Sequence, residues 1–102
     1  MGPLEVRNAK GNWIRVKRTP GSFILLVSES MEIWSAGLFK ATFHRAILME
    51  EELRSHRQSF MLFFSPDVNC QIKPLIDGDE KYKEINCEEF RRQKFKVKMQ
   101  VK

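Results

Sequence analysis

The sequence predicts an all-β domain, a sandwich or barrel of roughly six or seven short strands followed by one late helix. Three observations predict it. Turn formers punctuate the chain densely, at Gly11, Pro20-Gly21, Gly37, Pro66, Pro74 and Gly78. The runs between them are rich in β-branched and aromatic residues, as short strands are. A helix-start signature occurs near Asn86, late in the chain.

Each element follows from its local pattern. Leu4-Glu5-Val6-Arg7 alternates apolar and charged, as a half-buried strand does. Ala9-Lys10-Gly11-Asn12 reads as a tight turn and Trp13-Ile14-Arg15-Val16-Lys17 as the returning strand, so residues 4–17 form a hairpin. After the turn at Pro20-Gly21, residues 23–27 are continuously apolar, which predicts a strand buried on both faces. Residues 40–48 predict another strand. Residues 49–56 carry Glu50-Glu51-Glu52 and read as an exposed loop or short helical turn. Residues 59–64 form the second fully apolar strand, and Gln71-Ile72 a short one before Pro74. Asn86 with Glu89 three residues later resembles a capping box, with Phe90 as the apolar anchor of the helix and Ile85 as its staple. Beyond Phe95 the period changes to two, which fits either a final strand or an unpaired basic tail.

The chain has 102 residues, 42% hydrophobic and 30% charged, which suits one domain and not two. Its apolar content argues against disorder. No apolar run approaches the roughly 18 residues of a membrane-spanning helix. Charges at Glu5, Arg7, Lys10, Arg15, Lys17 and Arg18 do not suit a secretory signal. Two cysteines, Cys70 and Cys87, are too few for a disulfide scaffold and read as reduced structural thiols of a cytoplasmic protein. The net charge of +5 is unevenly spread. Residues 91–102 hold six basic side chains and no acid, whereas residues 1–90 hold 12 basic and 13 acidic ones. The body is near neutral and the basicity belongs to the tail. That pattern does not favour nucleic acid, and a non-catalytic β-domain binding a protein or polyanion through this tail is the alternative reading.

No Gly-rich phosphate loop, Gly-x-Ser-x-Gly elbow or Cys-x-x-Cys pair is present. Neither cysteine has a histidine or second cysteine at ligand spacing. His56 sits among charged residues and reads as solvated. His44 lies within Ala41-Thr42-Phe43-His44-Arg45-Ala46, where alternation sets Thr42, His44 and Ala46 on one face and Phe43, Arg45 and Ile47 on the other. A lone strand histidine suits either a structural role or a metal. Arg57 and Ser59 share a face by the same rule. A guanidinium beside a hydroxyl can hold a carboxylate, although an ordinary strand-entry arginine fits the spacing as well.

The order Trp34-Ser35-Ala36-Gly37-Leu38-Phe39-Lys40-Ala41-Thr42-Phe43-His44-Arg45, followed by Arg57-Gln58-Ser59-Phe60-Met61-Leu62-Phe63-Phe64, resembles the C-terminal half of iron(II)/2-oxoglutarate-dependent oxygenases of the isopenicillin N synthase-like group. Asn12-Trp13-Ile14-Arg15-Val16 and Pro20-Gly21-Ser22-Phe23 fit the preceding strands of that family. Lys81-Tyr82-Lys83-Glu84-Ile85 with Glu89-Phe90 resembles its closing strand-to-helix segment. The resemblance implies a partial double-stranded β-helix (jelly roll) over residues 1–95, with a short C-terminal helix and a basic tail at 96–102. It implies that His44 is the distal iron-binding histidine and that Arg57 and Ser59 anchor the far carboxylate of 2-oxoglutarate. All three would face a shared hollow from opposed sheets. Iron(II) and 2-oxoglutarate are the implied cofactors and a small molecule the implied substrate.

The facial triad of such enzymes needs two histidines and a carboxylate. The family supplies the first histidine and the acid as a His-x-Asp or His-x-Glu pair upstream of His44. Here no histidine precedes His44, and neither histidine starts such a pair. The family's Gly-Asp turn before the tryptophan is replaced by Ser28-Glu29, and its following asparagine by Ala36. The chain by itself is therefore expected to bind iron weakly or not at all and to leave 2-oxoglutarate unconverted. A jelly roll lacking that strand would also expose strand edges and an apolar face. The expected outcomes are a poorly soluble monomer, self-association through those edges, or a fragment of a longer gene product.

Overall fold

A computed structural model describes residues 2–100 of the chain. Its elements run β1 (Leu4–Arg7), β2 (Trp13–Arg15), α1 (Glu29–Trp34), β3 (His44–Ala46), a 3-10 turn (Glu52–Arg54), β4 (Gln71–Ile72), β5 (Ile85–Asn86) and α2 (Cys87–Gln100). The strands form two small open sheets, one ordered β2-β1-β3 and one made of β4 and β5. All of their pairings are antiparallel.

The expected hairpin is formed. Arg7 pairs with Trp13 and Glu5 with Arg15. Asn8 closes the turn: its Oδ1 accepts from the backbone N–H groups of Lys10 (3.0 Å) and Asn12 (2.9 Å). Gly11 supplies the positive φ of 85° that a β-carbon would resist. β3 lies on the other side of β1, with Val6 opposite His44 and Leu4 opposite Ala46. The acidic stretch at 49–56 forms the expected short helical turn, and β4 forms at Gln71–Ile72.

The two continuously apolar runs depart from expectation. Residues 23–27 and 60–64 are not strands; residues 23–25 and 60–64 stand in solvent, with Phe23 88% exposed and Phe60 96% exposed, and Leu26 and Val27 are half-buried. The alternation rule assigns such runs to strands buried on both faces. That burial needs a neighbouring strand on each edge and a layer on each side. Thr42 donates to the Val27 carbonyl at 3.0 Å, but no described strand pairs with either run.

Helix α1 was not legible as a helix in the sequence. Ser28 caps it, its Oγ accepting from the Met31 N–H at 3.2 Å, and Glu29 and Glu32 occupy its first turn where the helix dipole favours acids. The cap predicted for α2 is in place: Asn86 Oδ1 accepts from the N–H groups of Glu88 (3.0 Å) and Glu89 (3.4 Å). The helix runs through to Gln100, so the period-two stretch from Phe95 onward does not make a strand as far as residue 100. Lys, Gln and Met propagate a nucleated helix well. Residues 101 and 102 of that stretch lie outside the described residues.

The core is small and sits where the Trp34–Gly37 corner meets the second sheet. Ile72 is fully buried, and Ala36, Ser35 and Cys87 are buried near it in sequence register with that corner and with α2. Leu75 N–H donates to Trp34 O (2.9 Å) and Asp79 N–H to Ala36 O (3.1 Å), which straps residues 75–79 across the corner. Gly78 permits this close crossing. A β-carbon there would stand 2.6 Å from Ala36 Cβ and 2.7 Å from its carbonyl oxygen. Gly78→Ala is therefore expected to cost about 1–3 kcal/mol in urea unfolding. Gly2→Ala, where nothing lies within 4 Å, should leave the midpoint unchanged.

Candidate functional site

Cross-strand register sorts the side chains of the first sheet onto two faces. Glu5 stands opposite both Arg15 and Arg45, while Val6 stands opposite both Ile14 and His44. One face therefore carries Glu5, Arg15 and Arg45. The other carries Leu4, Val6, Ile14, Ala46 and His44. The alternation read from residues 42–46 holds here: His44 shares its face with Ala46 and not with Arg45.

The charged face is tied together. Glu5 pairs with Arg45 Nε at 2.8 Å and with Arg15 Nε at 3.9 Å. Arg15 also reaches Glu52 at 3.2 Å and the Ile47 carbonyl at 3.1 Å. Glu52 in turn accepts from the Met49 N–H at 2.6 Å. The Arg45 guanidinium lies 4.1 Å from the centre of the Trp13 ring, a cation–π contact. These contacts hold β3 from the side opposite His44. They join residues up to 40 apart in sequence, which local patterning does not reveal.

His44 is exposed, and its Nδ1 stands 2.9 Å from the Thr42 carbonyl oxygen. A carbonyl can only accept, so this contact is a hydrogen bond when Nδ1 carries a proton. Arg57 and Ser59 are exposed in the irregular segment after the 3-10 turn. Hence the three residues are not gathered around an enclosed hollow. Three grooves along β5 and α2, with such lining residues as Ile85, Glu89 and Phe90, include none of the three. The expected inward-facing geometry requires a second sheet opposite β2-β1-β3, and the run that carries Arg57 and Ser59 has no strand partner among the described residues. His56 is exposed as expected.

A donor set for a metal is likewise incomplete. Among the described residues no three His, Cys, Asp or Glu side chains stand close enough to hold a metal ion. No helix of the described residues is long and apolar enough to cross a membrane.

Lys40, four residues before His44, hydrogen-bonds the Tyr82 hydroxyl at 3.3 Å. That bond raises its ammonium above the ordinary lysine value, against a smaller opposing effect of desolvation. Gly37 makes room for the same tyrosine: with φ at 85°, a β-carbon there would stand 2.8 Å from the ring.

The charged face gives a direct test. A double-mutant cycle on Glu5→Ala and Arg45→Ala should return a coupling of about 0.5 kcal/mol, since Arg45 is half in solvent. In 1 M salt the coupling should fall by roughly half or more.

Comparison with known proteins adds a separate line of evidence. Residues 1–66 match the model of the 2OG-Fe(II) oxygenase superfamily. A homoarginine-6-hydroxylase of Oryza sativa subsp. japonica is 31% identical over 72 residues, which is 71% of this chain and 21% of that protein. A feruloyl CoA ortho-hydroxylase of Arabidopsis thaliana is 36% identical over 76 residues, 74% of this chain and 20% of its own length. A 2-oxoglutarate-dependent dioxygenase of Oryza sativa subsp. japonica is 31% identical over 103 aligned residues, 90% of this chain and 28% of that protein. The chain thus spans between 20% and 28% of the length of these relatives. No solved structure matches it.

Proposed function

The chain belongs to the 2OG-Fe(II) oxygenase superfamily, and we propose on that premise that it is the part of an iron(II)/2-oxoglutarate-dependent dioxygenase that carries the distal histidine and the cosubstrate anchor. In this reading residues 1–95 are the C-terminal portion of a jelly roll and 96–102 a basic tail. His44 contributes one iron ligand. Arg57 and Ser59 grip the distal carboxylate of 2-oxoglutarate. The observation that carries the reading is the register of β3, which sets His44 opposite Val6 on the apolar face of the first sheet. That is the face a second sheet would cover.

The extent of exposed surface supports a barrel that is incomplete within this chain. Its accessible area is 9190 Å² for a mass of 12.1 kDa. A folded monomer of that mass exposes about 6,000 Å². An excess of roughly 3,000 Å² on one partner, about 6,000 Å² over two, lies at the upper end of obligate interfaces. Its radius of gyration, 16.2 Å, exceeds the roughly 13 Å of a compact domain of this length. The exposed runs at 23–27 and 60–64 are the natural contents of that interface.

Iron, if bound, would be held in part by His44 and would supply the oxidising chemistry of the family. This chain provides one imidazole of the three protein ligands. The proposal is therefore that it is inactive alone and that its small-molecule oxidation depends on a His-x-Asp strand supplied from outside these residues. The polyanion alternative is less well supported. Arg92 is paired with Glu88 and Lys94 with Glu29, which neutralises part of the basic helix.

Two experiments test this. Anaerobic titration with Fe(II) and a succinate-release assay on the chain alone should give no stoichiometric iron and no turnover; tight one-to-one iron or steady succinate would refute the claim of inactivity. Joined to the preceding segment of one of its relatives, the chain should retain iron and lose it on His44→Ala. In that chimera Arg57→Leu should raise the KM for 2-oxoglutarate by about 10- to 100-fold, the worth of a charge-assisted hydrogen bond. Iron binding indifferent to His44 would remove the assignment.

A further inference from the structure

The second sheet brings together two residues that are 17 positions apart and that the oxygenase reading does not use. Gln71 pairs with Asn86 and Ile72 with Ile85. Continuing that register by one step sets Cys70 opposite Cys87. The backbone makes one of the two bonds of that step: Cys87 N–H donates to the Cys70 carbonyl at 2.9 Å, while Cys70 N–H turns back to the Asp67 carbonyl at 2.9 Å. Residues directly opposite in an antiparallel pair have Cα atoms about 4.5 to 5.5 Å apart. Disulfides bridge Cα separations of about 4.4 to 6.8 Å.

Both thiols are free in this structure. Their surroundings differ. Cys70 is partly exposed, whereas Cys87 is buried, its Sγ placed 3.6 Å from the Pro66 carbonyl oxygen. One thiol is reachable by a solute and the other is shielded from it.

We infer that Cys70 and Cys87 form a cross-strand dithiol–disulfide couple, oxidised by a low-molecular-weight disulfide such as oxidised glutathione. The Cys70 thiolate attacks one sulfur of the reagent, forming a mixed disulfide and releasing one thiolate. The Cys87 thiolate then attacks the Cys70 sulfur and releases the second. The two protons given up by the cysteines end on the two released thiols, so two cysteines are oxidised and one reagent disulfide is reduced. Exposure sets the order of attack. Cys87 needs access only to its cross-strand partner.

The bond would add a covalent rung to a sheet that otherwise has two residue pairs. It would fix the first residue of α2 to β4, and it would take the S–H donor from Pro66, which ends the segment bearing Arg57 and Ser59. Oxidation would thereby stiffen the second sheet and alter the anchorage of that segment together.

The test uses the full 102-residue chain equilibrated in reduced and oxidised glutathione at pH 8, quenched with an alkylating agent and mapped by non-reducing proteolysis. The expected product is a monomer in which the peptide containing Cys70 is linked to the peptide containing Cys87. Its equilibrium constant should exceed that of the same chain in denaturant by about tenfold or more, because the sheet raises the effective concentration of one thiol at the other. Cys87→Ser should halt the reaction at a glutathione adduct on Cys70. If that variant does not fold, the wild-type measurement decides alone. A wild-type chain that keeps glutathione on Cys70 beside a free Cys87, or a native constant no larger than the denatured one, would overturn the inference.

Discussion

Strand β1 holds the first half of the molecule together. Leu4, Glu5 and Val6 pair with β3 on one side, while Glu5, Val6 and Arg7 pair with β2 on the other. Everything the sheet does chemically follows from that double pairing. It forces Glu5 between two arginines on one surface, and it forces His44 to share the opposite surface with Val6 and Ile14. A shift of one residue in the β1–β3 pairing would exchange the faces of β3 and turn the imidazole toward the ion pairs. The network of Glu5, Arg15, Arg45 and Glu52 guards that register. Placing a second like charge opposite either arginine would be unfavourable, as would setting Glu5 against apolar neighbours.

Local features were legible in the sequence. The hairpin, the helical turn at Glu52, the short β4 strand and the Asn86 cap all depend on neighbours within a few residues, and each forms where patterning puts it. The face occupied by His44 was legible for the same reason, because alternation is a property of one strand. What patterning misplaced depends on partners. Residues 23–27 and 60–64 have the composition of buried strands, yet 23–25 and 60–64 stand in solvent. Composition describes the environment a segment suits, and it does not supply that environment. The six-residue α1 was missed because its signal is brief: a serine cap and two early acids inside a chain that otherwise reads as β. The pairing of Cys70 with Cys87 was invisible for a different reason. It needs the register of two strands, each two residues long, separated by a 12-residue excursion.

The site follows the same division. His44, Arg57 and Ser59 were identified by their order along the chain, which tracks ancestry. Their mutual placement is tertiary and requires two opposed sheets. Here one sheet has its charged exterior complete and its apolar interior uncovered. The proposed partial barrel would produce such a mismatch between a recognisable order of residues and an unassembled cavity. It accounts for a strong family match over the first two thirds of the chain alongside a core centred on Ile72 and Ala36.

The bare run of Phe60, Met61, Leu62, Phe63 and Phe64 bears on the life of the polypeptide in a cell. Five successive greasy side chains with free backbone groups form the kind of surface that molecular chaperones hold and that proteolytic surveillance reads as unfinished. Left unshielded, that stretch would mark the molecule for retention or clearance, so that its abundance would be governed by whatever covers Phe60–Phe64 and not by its rate of synthesis alone.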